Sequence, residues 1–315
     1  MTFTASLSQF QGCLLGAATA DALGAPWEGL TAELIFEMGP ADRIVQHESG
    51  ETIYYTDDTQ MTMGIVETLV KCGAVDGDVL ADRFVANYHP DRGYGQGARA
   101  LINEIAAGAD WRVAAAAMFG GQGSLGNGAA MRVAPIGVYF AADLTQVTKQ
   151  AERSAEVTHQ HPIGIDSARL LAVAAALATR SAGKTFDRTF FLQQLRDVAL
   201  TEEFQWQIDL ALQLEPFQSL RSFGNSLEAH RSVMTSIMCF ADSPNNYEQA
   251  ISRAIGRGDD VDTLAEMTGG LVGARLGLEG VPQRLWGCLE EHSQGRSYLL
   301  SLGEQLWKLR TTQPA

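Results

Sequence analysis

An all-α fold is predicted for this chain of 315 residues by three features of its sequence. Long Ala/Leu/Val-rich segments repeat at the helical period, short clusters of Gly, Pro, Asp and Asn interrupt them, and the regular apolar/polar alternation of half-buried strands is hard to find. With 46% hydrophobic and 19% charged residues, the chain can bury a sizeable core.

Taken in order, Phe10, Leu14, Ala17, Ala18 and Asp21 lie at helical spacing. Gly24-Ala25-Pro26 then stops that helix and delivers Trp27, read as a packing residue, and Glu28 to a loop. Thr56-Asp57-Asp58-Thr59 offers four possible N-caps to a buried helix over 61–70, with Met63, Val66 and Val70 on one face. Asp166-Ser167 leads into a core helix over 168–179. Between Phe186 and Tyr247 the pattern is amphipathic, with Trp206, Leu210, Leu212 and Leu214 as apolar bulk and no sign of function. Asp262-Thr263 opens a helix carrying Leu264, Met267, Leu271 and Leu276. Gly269, Gly273 and Gly277 recur every fourth residue there, so that another backbone can approach closely. No linker, low-complexity block or charge run divides the chain, and residues 1–315 are expected to form a single domain.

The balance of 23 Lys+Arg against 37 Asp+Glu, net −14, disfavours general nucleic-acid binding but leaves room for anionic ligands beside a bound cation. No apolar run approaches the roughly 20 residues of a membrane helix, which excludes a membrane span. The apolar stretch after Cys13 lacks a charged n-region, since Arg43 is the first basic residue, and reads as a core helix rather than a signal peptide. Cys13, Cys72, Cys239 and Cys288 show no paired spacing and are expected to be reduced packing residues of a cytoplasmic protein.

Two acidic turns carry the chemistry. Asp57 and Asp58 alone are explained by capping, because carboxylates at a helix start accept N–H bonds and complement the dipole. Gly258-Asp259-Asp260-Val261-Asp262-Thr263 places three carboxylates in four residues, more than one cap needs. Oxygen ligands of this kind suit Mg²⁺, Mn²⁺ or Ca²⁺ better than zinc. If the turns face each other, their combined charge calls for two cations. No EF-hand loop and no His-Glu-x-x-His motif is present, and His161, lacking a Cys/His cluster, reads as structural. A third feature, the run from Phe119 to Arg132, has five glycines in the ten residues 119–128. It is neither a Walker A loop nor a Rossmann fingerprint, but such turns can form N–H nests for a pyrophosphate.

Gly12-Cys-Leu-Leu-Gly16 through Asp21-Ala-Leu-Gly24-Ala-Pro-Trp-Glu28, Thr56-Asp-Asp-Thr59, Gly126-Asn-Gly128 through Met131-Arg132, Thr158-His159 and Asp260-x-Asp262-Thr263 together resemble the ADP-ribosylglycohydrolase family, in the family's order. The resemblance implies a compact, orthogonally packed multi-helix bundle with a binuclear metal cleft, hydrolysing the bond between ADP-ribose and its acceptor. It implies two Mg²⁺ or Mn²⁺ ions on Thr56, Asp57, Asp58, Asp260, Asp262 and Thr263, with Glu28 on a loop beside them. Ser124, Gly126, Asn127 and His159 would contact the diphosphate and distal ribose.

Pro90-Asp-Arg-Gly-Tyr94-Gly and the run Gly123 to Arg132 look like the branch acting on serine-linked ADP-ribose, poly(ADP-ribose) and O-acetyl-ADP-ribose. The arginine-specific branch, including the dinitrogenase reductase-activating type, is the alternative. Two positions depart from the pattern: Leu125 stands where an aromatic often meets adenine, leaving Phe119 to stack, and Asp259 replaces the second Gly of Gly-Gly-Asp-x-Asp-Thr. Cleavage through an oxocarbenium-like state needs a placed water, charge stabilisation and a proton for the leaving group. Glu28 is the candidate acid or base because the other carboxylates are committed to metal, with Asp58 or Asp262 as alternatives. Arg132 reads equally as an ion-pair partner or a ligand contact. ADP-ribose or an ADP-ribosylated protein is the expected partner of a monomeric chain. A catalytically silent ADP-ribose-binding relative and a diphosphate-cleaving phosphoesterase are the competing functions.

Overall fold

The structure, a computed structural model, describes residues 3–39, 50–216, 218 and 222–312. Among the described residues all regular elements are helical, and extended pairing is confined to two isolated bridges, Ile53 with Leu289 and Gly126 with Glu228. The first half comprises α1 (Leu7–Gly24), α2 (Ala32–Met38), α3 (Asp57–Cys72), α4 (Gly77–Asn87), α5 (Gln96–Ala106), α6 (Trp111–Gly121), α7 (Gly128–Met131), α8 (Ala134–Tyr139) and α9 (Leu144–Glu156). The second comprises α10 (Pro162–Arg180), α11 (Arg188–Val198), α12 (Glu202–Gln213), α13 (Ala229–Ala241), α14 (Tyr247–Ile255), α15 (Val261–Leu276), α16 (Gln283–Trp286) and α17 (Arg296–Thr312).

The centre of the molecule is the pair α1 and α15, both buried along nearly their whole lengths. α1 starts at a capping box in which the Ser6 hydroxyl accepts the Gln9 N–H and the Gln9 side chain accepts the Ser6 N–H. The predicted close approach along Gly269 and Gly273 is made by α1, through Gly12 and Gly16. A Cβ placed on Gly16 would stand 2.6 Å from the Gly269 carbonyl oxygen, so the two backbones touch. Around this pair one contiguous apolar core takes side chains from α3, α8, α10, α13 and α17.

Four expectations need correction. α10 begins at Pro162, well before Asp166-Ser167, with His161 as its N-cap accepting the Ile163 N–H at 3.2 Å. Asp166 lies within the helix, where it accepts Leu200 and Thr201 N–H bonds at 2.9 and 2.8 Å. This helix of 19 residues, mean hydropathy 1.3, is by length and composition apolar enough to cross a membrane, contrary to the sequence reading. Asp166 and Arg169 interrupt its apolar run, and 78% of the apolar window is buried inside the protein. Trp206 is 63% exposed: the inward face of α12 is Phe204, Ile208 and Ala211, at helical spacing, and Trp206 lies on the other side. All four cysteines are free; Cys13 and Cys239 are packing residues, whereas Cys72 is exposed at the end of α3.

Candidate active site

Asp21, buried in the last turn of α1, ties down the first acidic turn. Its carboxylate accepts the Thr56 N–H at 3.0 Å, the Thr59 N–H at 3.3 Å and the Thr59 hydroxyl. At the C-terminal end of the same helix a Cβ on Gly24 would stand 2.6 Å from the Asp262 Cα. One helix end therefore gathers the N-termini of α3 and α15, whose positive dipole ends converge on a shared volume. Asn225 holds the second turn by donating to the Gly258 and Asp260 carbonyls at 2.6 and 3.1 Å.

That volume is a cavity of about 570 Å³ lined by Glu28, Asp57, Asp58, Asp260, Asp262 and Thr263. One carboxylate oxygen each from Glu28, Asp260 and Asp262 lies within 4.8 Å of the other two. Asp58 is buried beside Glu266, whose carboxylate accepts the Thr62 hydroxyl at 3.0 Å and whose charge acts on Asp58. Burial, reinforced by neighbouring carboxylates, pushes Asp57 up to about 7 and Asp262 up to about 9. Asp58 and Glu266 are held well above the carboxylate range for the same reasons. Asp58 Oδ2, Asp262 Oδ1 and Glu266 Oε2 are buried without a hydrogen-bond partner. Unpartnered buried carboxylate oxygens in a carboxylate and hydroxyl cluster fit a hard divalent cation, whose charge would favour their ionised form. Thr56 stands outside the cavity lining; its hydroxyl caps α3 by accepting the Asp58 N–H at 3.3 Å.

Glu28 is exposed on the loop beyond α1, and partial burial of its carboxylate followed by the Asp260 charge raises its pKa. Asp259 fastens this loop: its carbonyl accepts the Gly29 N–H at 2.9 Å and its N–H donates to the Leu30 carbonyl at 2.7 Å. It does so at φ +68°, a left-handed conformation that the glycine expected there adopts freely.

The glycine-rich run lines the same cavity through Phe119, Ser124, Gly126, Asn127 and Gly128, and His159 joins them. Phe119 is exposed at φ +53°, where α6 breaks. Leu125 stands outside the lining; its carbonyl accepts the Ala229 N–H, and Leu227 lines the cavity nearby. Within that lining the Asn127 amide donates to the Asp260 carboxylate at 2.6 Å and to the Ser232 hydroxyl at 3.2 Å. The nest is also partly committed: the Gly126 N–H goes to the Ser124 hydroxyl and the Asn127 N–H to the Leu227 carbonyl.

Sequence reasoning missed Glu266, Asn225, Leu227 and Gly97, whereas Gly93 and Gly95, from the Pro90-Asp-Arg-Gly-Tyr94-Gly run, do line the cavity. A signal for Glu266 existed, since a carboxylate one turn after Asp262 interrupts an apolar helix. Asn225 and Leu227 fall in the stretch read as functionally silent, where nothing local marks them.

A helical fold that brings two helix-start carboxylate clusters and a glycine-rich run to one cleft defines a hydrolase built to work with metal ions. The chain belongs to the ADP-ribosylglycohydrolase family, whose profile matches residues 3–315, and is thereby a glycosidic-bond hydrolase. It is 32% identical over 324 residues to the ADP-ribosylhydrolase ARH3 of Homo sapiens, covering 88% of this chain and 88% of that protein. Identity to the ADP-ribosylarginine hydrolase Tri1 of Pseudomonas putida (strain GB-1) is 26% over 299 residues, covering 88% of this chain and 73% of that protein. A solved structure, an ADP-ribosylglycohydrolase-related protein complex, shares the fold with TM-score 0.75 at 24% identity, over 96% of this chain and 98% of that one.

Proposed function

We propose that the protein removes ADP-ribose from modified acceptors by metal-dependent cleavage of the glycosidic bond at the distal ribose, on O-linked substrates such as serine-ADP-ribose, poly(ADP-ribose) or O-acetyl-ADP-ribose. The observation that carries this reading is the meeting of Glu28, Asp57, Asp58, Asp260 and Asp262 around the cavity that also takes in the glycine-rich run. Greater identity to ARH3 than to the arginine hydrolase supports the O-linked branch. A cytoplasmic monomer is part of the proposal, consistent with four unpaired cysteines.

Asp57, Asp58, Asp260, Asp262 and Thr263, with Thr56 through its spare lone pair, would hold two Mg²⁺ or Mn²⁺ ions. Such ions supply positive charge that orients ribose hydroxyls and acidifies a water. Asn127 aims the Asp260 carboxylate, and Glu266 backs Asp58. Glu28 exchanges the proton, being the carboxylate on the loop side of the cleft, where burial and the Asp260 charge raise its pKa.

Offering purified protein serine- and arginine-ADP-ribosylated peptides with Mg²⁺, with and without EDTA, tests both chemistry and branch. Free ADP-ribose from the serine peptide, abolished by EDTA, is expected. Preferential arginine release moves the protein to the other branch, and AMP plus ribose phosphate makes it a phosphoesterase. Asp57→Asn and Asp262→Asn should each abolish turnover with an unchanged helical circular-dichroism spectrum; full activity in either refutes the metal assignment.

A further inference from the structure

We propose that Arg132 and Thr158 are positioning residues that hold His159 as the neutral imidazole protonated on Nε2, presenting that N–H to an anionic oxygen of the bound nucleotide. The inference rests on the ADP-ribose reading for its ligand, but the hydrogen-bond chain stands on geometry alone.

Arg132 follows α7 and is completely buried, its guanidinium stacked 4.7 Å from the Phe84 ring centroid. Its Nη2 donates to the Ser154 carbonyl at 3.0 Å and to the Thr158 hydroxyl oxygen at 2.7 Å. The ion-pair role expected for it does not apply, since among the described residues no carboxylate pairs with it; it lines the cavity, and its Nη1 lies 3.9 Å from the Met61 sulfur. A guanidinium has only donors, so Thr158 Oγ1 must accept from it. The hydroxyl proton is then left for the group 2.7 Å away on its other side, His159 Nδ1, and no other acceptor for it is found among the described residues. Nδ1 thus carries a lone pair.

Burial, and then the Arg132 charge, push the His159 pKa down to about 3, so the ring is neutral near pH 7 and its proton sits on Nε2. Nε2 faces the glycine-rich run: a Cβ on Gly126 or on Gly128 would stand 3.6 Å from it. Among the described residues this nitrogen has no hydrogen-bond partner, and His159 lines the cavity. A neutral donor serves a cavity crowded with carboxylates, because a cationic side chain there would pair with the acidic cluster instead of the ligand. The Arg132 charge acts from behind, polarising the chain of hydrogen bonds toward the cavity.

¹⁵N-histidine NMR of the full chain reads the tautomer directly and needs no variant. A His159 spectrum with protonated Nε2 and bare Nδ1 at neutral pH is expected; protonated Nδ1 overturns the proposal. Thr158→Val should mix the tautomers and weaken ADP-ribose binding about tenfold, raising KM more than it lowers kcat, while Thr158→Ser restores both. Unchanged tautomer and affinity in Thr158→Val also overturn it. The expected wild-type spectrum in a chain that binds no ADP-ribose would instead sink the hydrolase reading and leave the hydrogen-bond chain in place.

Discussion

Asp259 occupies a left-handed position that costs an L-residue about 1 kcal/mol relative to glycine, while its carboxylate adds charge beside Asp260. Both of its backbone hydrogen bonds to the Glu28 loop are independent of the side chain. Asp259→Gly is therefore expected to stabilise the protein by up to about 1 kcal/mol, offset in part by the greater freedom of glycine in the unfolded chain. A higher urea midpoint at unchanged slope is the readout. A lower midpoint would show that the Asp259 side chain contributes to the turn. At this scale the residue types of the site were legible, because carboxylates beyond what capping requires stand out in a sequence. Their partners within the protein were less so: nothing local marks the Asn127 amide as a donor to Asp260. The carboxylate it meets comes from a distant segment.

Among the elements, α1 and α15 act as one unit, since the contacts that pack them also position both acidic turns. Gly16→Ala would drive a methyl into the Gly269 carbonyl, which α15 cannot withdraw without moving Asp262. Destabilisation by about 2–4 kcal/mol is expected, with Mg²⁺ affinity in calorimetry falling too. Loss of stability with intact metal affinity would uncouple the helix pair from the site. The glycine spacing of α15 was visible in the sequence as an invitation to close approach. Its partner was not, because periodicity reports which face is apolar or small and says nothing of which helix meets it. Trp206 illustrates the converse, an apolar residue whose helix turned another face inward.

Across the whole molecule, five of the 37 Asp and Glu side chains, Glu28, Asp57, Asp58, Asp260 and Asp262, line one partly buried cavity. Asp57 and Asp262 have folded pKa values raised to about 7 and about 9 from an ordinary value of 3.8, chiefly by burial and then by Asp21 and Asp260 respectively. The folded chain thus binds more protons than the unfolded one between those limits. Their contribution to stability is complete below about pH 4 and is lost as pH rises through about 7 and 9. Without divalent ions, the urea midpoint should therefore fall from pH 5 to pH 9, and Mg²⁺ should flatten that slope by supplying the missing counter-charge. A midpoint in EDTA that does not fall over this range would contradict the carboxylate cluster described here.

The sequence by itself determined the helical class, the glycine spacing, the acidic turns and the family, because each is written in local pattern or in ordered motifs. Only the tertiary structure decided that the two turns share a cavity, that Asn127 serves Asp260, and that Arg132 acts on His159 through Thr158. Those facts depend on contacts between segments far apart in the chain. Such contacts form only when α1 and α15 bury their small residues against each other and carry the turns at their ends into register.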